Sequence, residues 1–222
     1  MTTPLNGSIT LGQAPGTVDE IVRIADGAPI ALEKAALDNM ARVSSRIQRA
    51  IEQGQVIYGL TTGVGDLVTT RLSPDRMTDT QLNMLRSHAC GVGPDLTVRE
   101  VRAMMAVTLK SLLQGYSGVT PALAQRIADM LNRQVTPWSP AGGSVGYLIA
   151  TAHIGLAVFG EGKCWYQGEL LPAQQALTRA GIPPYVPGPR EGHALVGGTY
   201  EITALGCLAV ADFQRLLPVA DM

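Results

Sequence analysis

Two four-residue boxes, Thr17-Val18-Asp19-Glu20 and Thr97-Val98-Arg99-Glu100, constrain the fold more than any other feature of this chain. In each, a threonine at the N-cap can accept from the backbone three residues on, and the glutamate there can reach back to the threonine amide. The first predicts a helix to about Ala25. The second predicts one to Gln114, stopped by Gly115-Tyr116-Ser117-Gly118. Thr120-Pro121, an N-cap followed by proline at N1, starts another through Asn132. Between them Leu32, Ala36, Leu37, Met40, Val43, Ile47 and Ile51 recur at three- and four-residue steps, the stripe of one amphipathic helix ended by Gly54. Thr78 to Ala89 and Leu148 to Phe159 read as two more, and from Thr203 the chain enters a helix broken or kinked at Pro218.

Strand signals are weak. Val56-Ile57-Tyr58 is a short apolar run, and the segment from Lys163 to Leu171 has the pattern of a small hairpin. Pro137 to Gly146 reads as a loop, and Pro183, Pro184, Pro187 and Pro189 as a rigid linker. The expectation is a mainly α chain with one to three short strands. Apolar residues from Ala204 to Met222 have little left in this chain to bury them, so the reading is either a fragment or a helix completed by a partner subunit.

Composition narrows function by exclusion. With 46% hydrophobic and 16% charged residues, the 222-residue chain has a core-rich, globular balance. A formal charge of -1 gives no field to draw in nucleic acid or an anionic membrane. No apolar run is expected to reach membrane-spanning length, and Met1-Thr2-Thr3-Pro4 has no basic, then apolar, leader pattern, so a cytoplasmic location is expected. Cys90, Cys164 and Cys207 are odd in number and widely spaced, which predicts buried or half-buried free thiols. His88, His153 and His193 are far apart, and no metal site is expected.

A few segments combine chemistry with unusual backbone freedom. Tyr58 leads into Gly59-Leu60-Thr61-Thr62-Gly63-Val64-Gly65; it is either a packed tyrosine or a reactive one on a flexible loop. Ser87-His88 ends a helix, where the imidazole either caps the preceding turn or faces a ligand. Gly142-Gly143-Ser144-Val145-Gly146 lacks the lysine and the preceding strand of a phosphate-binding loop, but its glycines allow a tight backbone bend.

Taken together these segments resemble the histidine and aromatic amino acid ammonia-lyase family. Tyr58-Gly59 with Thr62-Gly63-Val64-Gly65, Ser87-His88-Ala89-Cys90-Gly91-Val92-Gly93, and Ser111-Leu112-Leu113-Gln114-Gly115-Tyr116-Ser117-Gly118-Val119 match family segments in order. So do Gly160-Glu161-Gly162, Leu171-Pro172-Ala173 and Gly188-Pro189-Arg190-Glu191-Gly192. The likeness runs from about Leu32 to Asp221 and corresponds to the N-terminal two-fifths or so of a member. It implies an ammonia-lyase-like N-terminal domain over 1–203, with 204–222 entering a long-helix bundle. It also implies a tetramer-like homo- or hetero-oligomer acting on a small amino acid.

Within that resemblance, catalytic positions fall at Tyr58, Gly146 and Tyr147, and substrate-binding positions at Ser87, His88, Gly65 and Gly197. Tyr58 would take a proton from the substrate's β-carbon. A free phenol, with a pKa near ~10, needs help from its surroundings to do so. His88 after Ser87 matches the histidine-selective members, where it faces the substrate's side chain.

The chain departs from the family at the reactive centre. Members follow Gly-Ser-Val-Gly with Ala-Ser-Gly, which cyclises into the electrophilic methylidene-imidazolone (MIO), and then with Asp. Here Gly146 runs directly into Tyr147. The Asn of the family's Asn-Gly-Thr is Gly197, and the family's Arg-Ala-Asn is Thr108-Leu109-Lys110. Two readings of the gap follow. A matured MIO is one residue made from three, and a transcription that omitted it would leave such a gap, in which case MIO is the cofactor. A true deletion leaves no cofactor, and the coincident Tyr147 and Gly197 favour it. The function implied is a carbon–nitrogen lyase that eliminates an amine from an imidazole or aromatic amino acid to give an α,β-unsaturated acid. The alternative is a catalytically altered or inactive relative serving as a subunit or scaffold.

Overall fold

The structure, a computed structural model, describes residues 7–73, 76–143 and 146–221. The leader reading at Met1-Thr2-Thr3-Pro4 and the Ser144-Val145 pair of the glycine loop lie outside the described residues.

Both capping boxes form. The Thr17 and Thr97 hydroxyls accept from the Glu20 and Glu100 amides, and each glutamate carboxylate accepts in turn from its threonine amide, opening α1 (Val18–Ala25) and α4 (Val98–Leu112). Between them lie β1 (Ile9–Leu11), β2 (Ile30–Leu32), α2 (Lys34–Glu52), α3 (Met77–His88) and β3 (Val92–Asp95). After α4 come α5 (Pro121–Asn132), β4 (Thr136–Pro137), β5 (Pro140–Gly142), α6 (Ile149–Val158), β6 (Lys163–Tyr166), β7 (Glu169–Pro172), α7 (Ala173–Arg179), α8 (Glu191–Val196) and α9 (Tyr200–Ala220). The mainly α expectation holds.

α4 is the axis of the core. Met104, Met105, Leu109 and Leu112 on it are buried, and α1, α5 and α9 pack around it. Each such side chain contributes about 1.5–3 kcal/mol by leaving water. Arg102, also buried on α4, donates to the Ile24 and Ala25 carbonyls at the end of α1 and to the Leu131 carbonyl at the end of α5. One guanidinium thus satisfies the orphan acceptors of two helix C-termini. Burial lowers its pKa below the usual arginine value. A second group, α3, α6 and α8, packs beside this axis.

The strand content departs from expectation. Seven short strands are present among the described residues, in three small sheets: β1–β2 parallel, β3–β5 antiparallel, and β4–β6–β7 antiparallel. The Lys163–Leu171 hairpin forms, in register Cys164 opposite Leu171. Val56-Ile57-Tyr58 is not a strand: the Thr61 hydroxyl takes the Ile57 amide at 2.7 Å and returns a bond to the Gln55 carbonyl, closing a turn. Part of the Pro137–Gly146 loop is β5. Cys164 is buried and its thiol is pushed up to about 12, mainly by burial, whereas Cys90 is exposed, against expectation.

α9 runs on through Pro218 without a break. Glu191–Ala220, which spans α8 and α9, is long and apolar enough to cross a membrane by length and composition, contrary to the sequence reading; 39% of that apolar window is buried inside the molecule. The buried residues of α9 are Tyr200, Glu201, Ala204 and Leu208. Ile202, Phe213, Leu216 and Val219 are exposed.

Candidate active site

α8 is the element on which the candidate residues converge, and a buried carboxylate builds it. Glu191 is fully buried at the start of α8. It accepts from the Thr120 hydroxyl (2.6 Å) and amide (3.2 Å), from the Gly188 amide (2.7 Å) and from the Tyr185 hydroxyl (3.0 Å). Burial and this carboxylate hold the Tyr185 phenol far above its ordinary pKa, so it stays a donor. The buried Arg126 lies over the Tyr185 ring, 5.7 Å from its centroid, and donates to the Val158 and Pro183 carbonyls. Arg190, at φ 71° just before the helix, donates to the carbonyls of Ser117 (3.0 Å) and Tyr58 (3.5 Å). Its left-handed backbone is costly for a non-glycine residue and is fixed by these contacts.

α8 then meets α3 backbone to backbone. A Cβ on Gly192 would lie 2.3 Å from the Gln81 carbonyl, so only glycine allows this approach. Fully buried Gln81 links three segments. Its amide nitrogen donates to the Gly59 carbonyl (3.4 Å), and its amide oxygen accepts from the His193 backbone N–H (3.0 Å).

The Tyr58 arm is thereby seated against α8. Tyr58 is 49% exposed, and its ring stands edge-on to the His193 ring with centroids 6.0 Å apart. Its phenol oxygen accepts from the Gly65 amide at 3.2 Å, which leaves the phenol proton for a further partner. Gly197 caps α8, and its amide donates to the His193 carbonyl (2.9 Å). A Cβ on Gly197 would stand 3.8 Å from His193 Nε2. Tyr58 and Gly65 therefore meet directly, and Gly197 reaches them through His193.

Gly146 and Tyr147 sit beyond the C-terminal end of α8, where α9 begins. The Gly146 carbonyl accepts from the Ile202 amide (3.2 Å) in the first turn of α9, which Tyr200 ties to α8 through a bond from its hydroxyl to the Ala194 carbonyl (3.0 Å). Tyr147 is 41% exposed, and Leu148 after it has φ 72°, a strained entry into α6. Upstream, Gly142 pairs with Val92, and the Gly91 amide donates to His153 Nε2 at 3.2 Å. Burial lowers the His153 pKa, which keeps that nitrogen a free acceptor.

Ser87 and His88 are held by their own helix. The Ser87 hydroxyl and His88 Nδ1 both reach the Met84 carbonyl, at 2.9 and 2.7 Å. They lie six to seven residues, about 10 Å, further along α3 than Gln81. Three residues central to this geometry, Gln81, Glu191 and His193, escaped the sequence reading as site residues. Their local patterns are those of ordinary helix positions, and their roles arise from partners 22, 71 and 112 residues away.

The MIO does not fit the residues present. Gly146 is bonded directly to Tyr147, with its carbonyl engaged by α9, and the segment has no Ala-Ser-Gly to cyclise. Among the described residues no three His, Cys, Asp or Glu are grouped to hold a metal ion.

The family model for the aromatic amino acid lyases matches residues 17–222. Histidine ammonia-lyase of Geobacillus thermodenitrificans is 38% identical over 204 residues, covering 90% of this chain and 40% of that protein. Among solved structures, ergothionase from Treponema denticola, an ergothioneine-degrading enzyme crystallised with desmethyl-ergothioneine sulfonic acid, superposes with TM-score 0.91 at 25% identity. That likeness covers 95% of this chain and 43% of that one. Histidine ammonia-lyase from Trypanosoma cruzi gives TM-score 0.86 at 30% identity, covering 92% of this chain and 40% of its own. The chain thus spans about two-fifths of the length of these relatives.

Proposed function

This chain belongs to the aromatic amino acid lyase family, and on that premise we propose that it serves a carbon–nitrogen lyase of the ammonia-lyase type, eliminating an amine from an imidazole or aromatic amino acid. The observation that carries the reading is the meeting of Tyr58, Gly65 and, through His193, Gly197 on one face of α8. Tyr58, acting as the phenolate after giving up its own proton, takes the proton from the β-carbon and returns to the phenol. The C–H electron pair becomes the Cα=Cβ double bond, and the amine leaves with the electrons of the Cα–N bond. Ser87 and His88 at the end of α3 are the proposed readers of the substrate's side chain, and Gly146 and Tyr147 line the leaving-group end.

The family depends in general on the MIO, and this chain has no triplet from which to form it. A positioned base alone supplies about 10²–10⁴-fold, well below ordinary enzymic acceleration. The substrate that suits such a site is one whose amine departs readily, such as a quaternary ammonium. The test is incubation of the purified chain with histidine, tyrosine, phenylalanine and their trimethylammonium forms, following conjugated acrylate absorbance. Product from the trimethylammonium forms supports the reading. No product from any, beside an active intact relative, ends it. Intact mass decides the gap: the mass of the printed residues means a deletion, and an excess of one imidazolone residue means the group is present.

A second reading has its own observation. The exposed apolar residues of α9 favour a subunit that works together with further helices, from a second copy or a companion chain. In it, 1–203 is the lyase-like domain and 204–222 opens the bundle, in a cytoplasmic oligomer. Light scattering that finds a stable monomer with no companion removes it.

A further inference from the structure

His193 stands out among polar groups with no assigned role. Its Nδ1 is buried against the Gly59 backbone, outside ordinary hydrogen-bond geometry. That nitrogen packs on Gly59, where a Cβ would lie 2.5 Å from it, so the φ +64° glycine and the imidazole are fitted to each other. The other ring edge faces Gly197, and the ring stands edge-on to Tyr58. The imidazole therefore fills the space between the arm and the place where the family carries its asparagine.

We propose that His193 is a positioning residue that seats Tyr58 from α8 and replaces the polar side chain missing at Gly197. This rests on the lyase reading for the purpose of the seat, and on geometry alone for its existence. The imidazole works uncharged. Arg190 precedes it on α8 and Tyr58 faces it from the arm; Gln81 on α3 is neutral; Glu191 is turned to Thr120 and Tyr185. No carboxylate among these is placed to steady an imidazolium; burial first, and then the Arg190 charge, lowers its pKa and outweighs the rise from the Gly59 backbone beside it. Protonation would set a cation beside Arg190 and loosen the arm.

The test is hydrogen–deuterium exchange across 57–66, corrected for intrinsic rates, in the wild-type chain, His193→Leu, His193→Asn and His193→Leu with Gly197→Asn. In the wild type, protection should fall about three- to tenfold between about pH 8 and a pH well below the ordinary histidine value of about 6.5, the scale of one aromatic contact across the titration of a histidine whose pKa is lowered. His193→Leu should lose both the protection and its pH dependence. His193→Asn should keep part of the protection without the pH dependence, and the added Gly197→Asn should restore it. Wild-type protection in His193→Leu at both pH values overturns the proposal, as does a loss spread over the whole chain with a lowered urea midpoint. Exchange is read without turnover. An unchanged exchange pattern therefore sinks the seat alone, and absent acrylate sinks the lyase reading alone.

Discussion

The loop in which Gly91 leads into β3 and the tyrosine arm are both pinned to the helices by a histidine, but differently. At the loop, His153 stands edge-on to Trp138, centroids 5.6 Å apart, and its Nε2 receives the Gly91 amide. At the arm, His193 makes a similar edge-on contact with Tyr58, yet its buried Nδ1 meets only the Gly59 backbone, outside ordinary hydrogen-bond geometry. The first pin is a satisfied hydrogen bond that holds one arrangement. The second is ring packing plus a buried nitrogen whose polar contact with the Gly59 backbone is poorly aligned, which costs stability.

The largest test removes the arm's support and leaves the loop's. Glu191→Ala strips the acceptor from the Thr120 amide and hydroxyl, the Gly188 amide and the Tyr185 hydroxyl, all at least half-buried. Urea unfolding should show a loss of about 3–5 kcal/mol, since several buried donors go unpaired together. Exchange should rise across 57–66 and 190–197 while 91–95 and 140–143 keep their protection. Equal loosening of both regions would show that α8 supports the loop as well, and the contrast would be gone.

A smaller effect sharpens the contrast from the other side. His153→Phe keeps the ring beside Trp138 but leaves the Gly91 amide without its acceptor, a cost of about 1–3 kcal/mol. It should also change the response to acid. Both histidines have pKa values lowered by burial, so the folded chain binds fewer protons than the unfolded one. Their contribution is complete above the unfolded value near ~6.5 and is lost as pH falls through the folded values. Urea midpoints from neutral to mildly acidic pH should decline less steeply in His153→Phe than in the wild type. An unchanged slope would mean that the Gly91 bond survives protonation, which a neutral acceptor cannot allow.

The chain announces its helices more clearly than its site. The capping boxes at Thr17 and Thr97, and Thr120 before Pro121, are local chemistry, and the structure starts α1, α4 and α5 where they stand. β1 and β2 gave no signal because three residues each, Ile9–Leu11 and Ile30–Leu32, pair only after α1 has brought them together. Six-residue α8 is hidden behind four prolines and owes its existence to Glu191 meeting Thr120, a contact no local pattern encodes. The same holds for the site. Tyr58 and Gly65 were legible through the spacing of their loop. His193 was only one of three scattered histidines, and its meaning came with Gly59 and Gly197 packed on either side.

The smallest effect concerns the junction that the two regions share. Arg86 near the end of α3 pairs with Glu161 just after α6, its Nε and Nη2 donating to the two carboxylate oxygens, but the two side chains are 50% and 36% exposed. Exposed pairs are screened by water and salt and contribute little. Arg86→Ala should leave the urea midpoint within the scatter of repeat measurements at neutral pH, and added salt should not change the wild type. Its trace should appear only in acid. Arg86 holds the Glu161 carboxyl below its usual range, so whatever the pair contributes is present above about 4.3 and fades as pH falls further. That window lies well below the histidine window. A variant that altered the slope near neutral pH instead would couple this surface pair to His153 or His193, and the α3–α6 junction would have to count as part of how the loop and the arm are set.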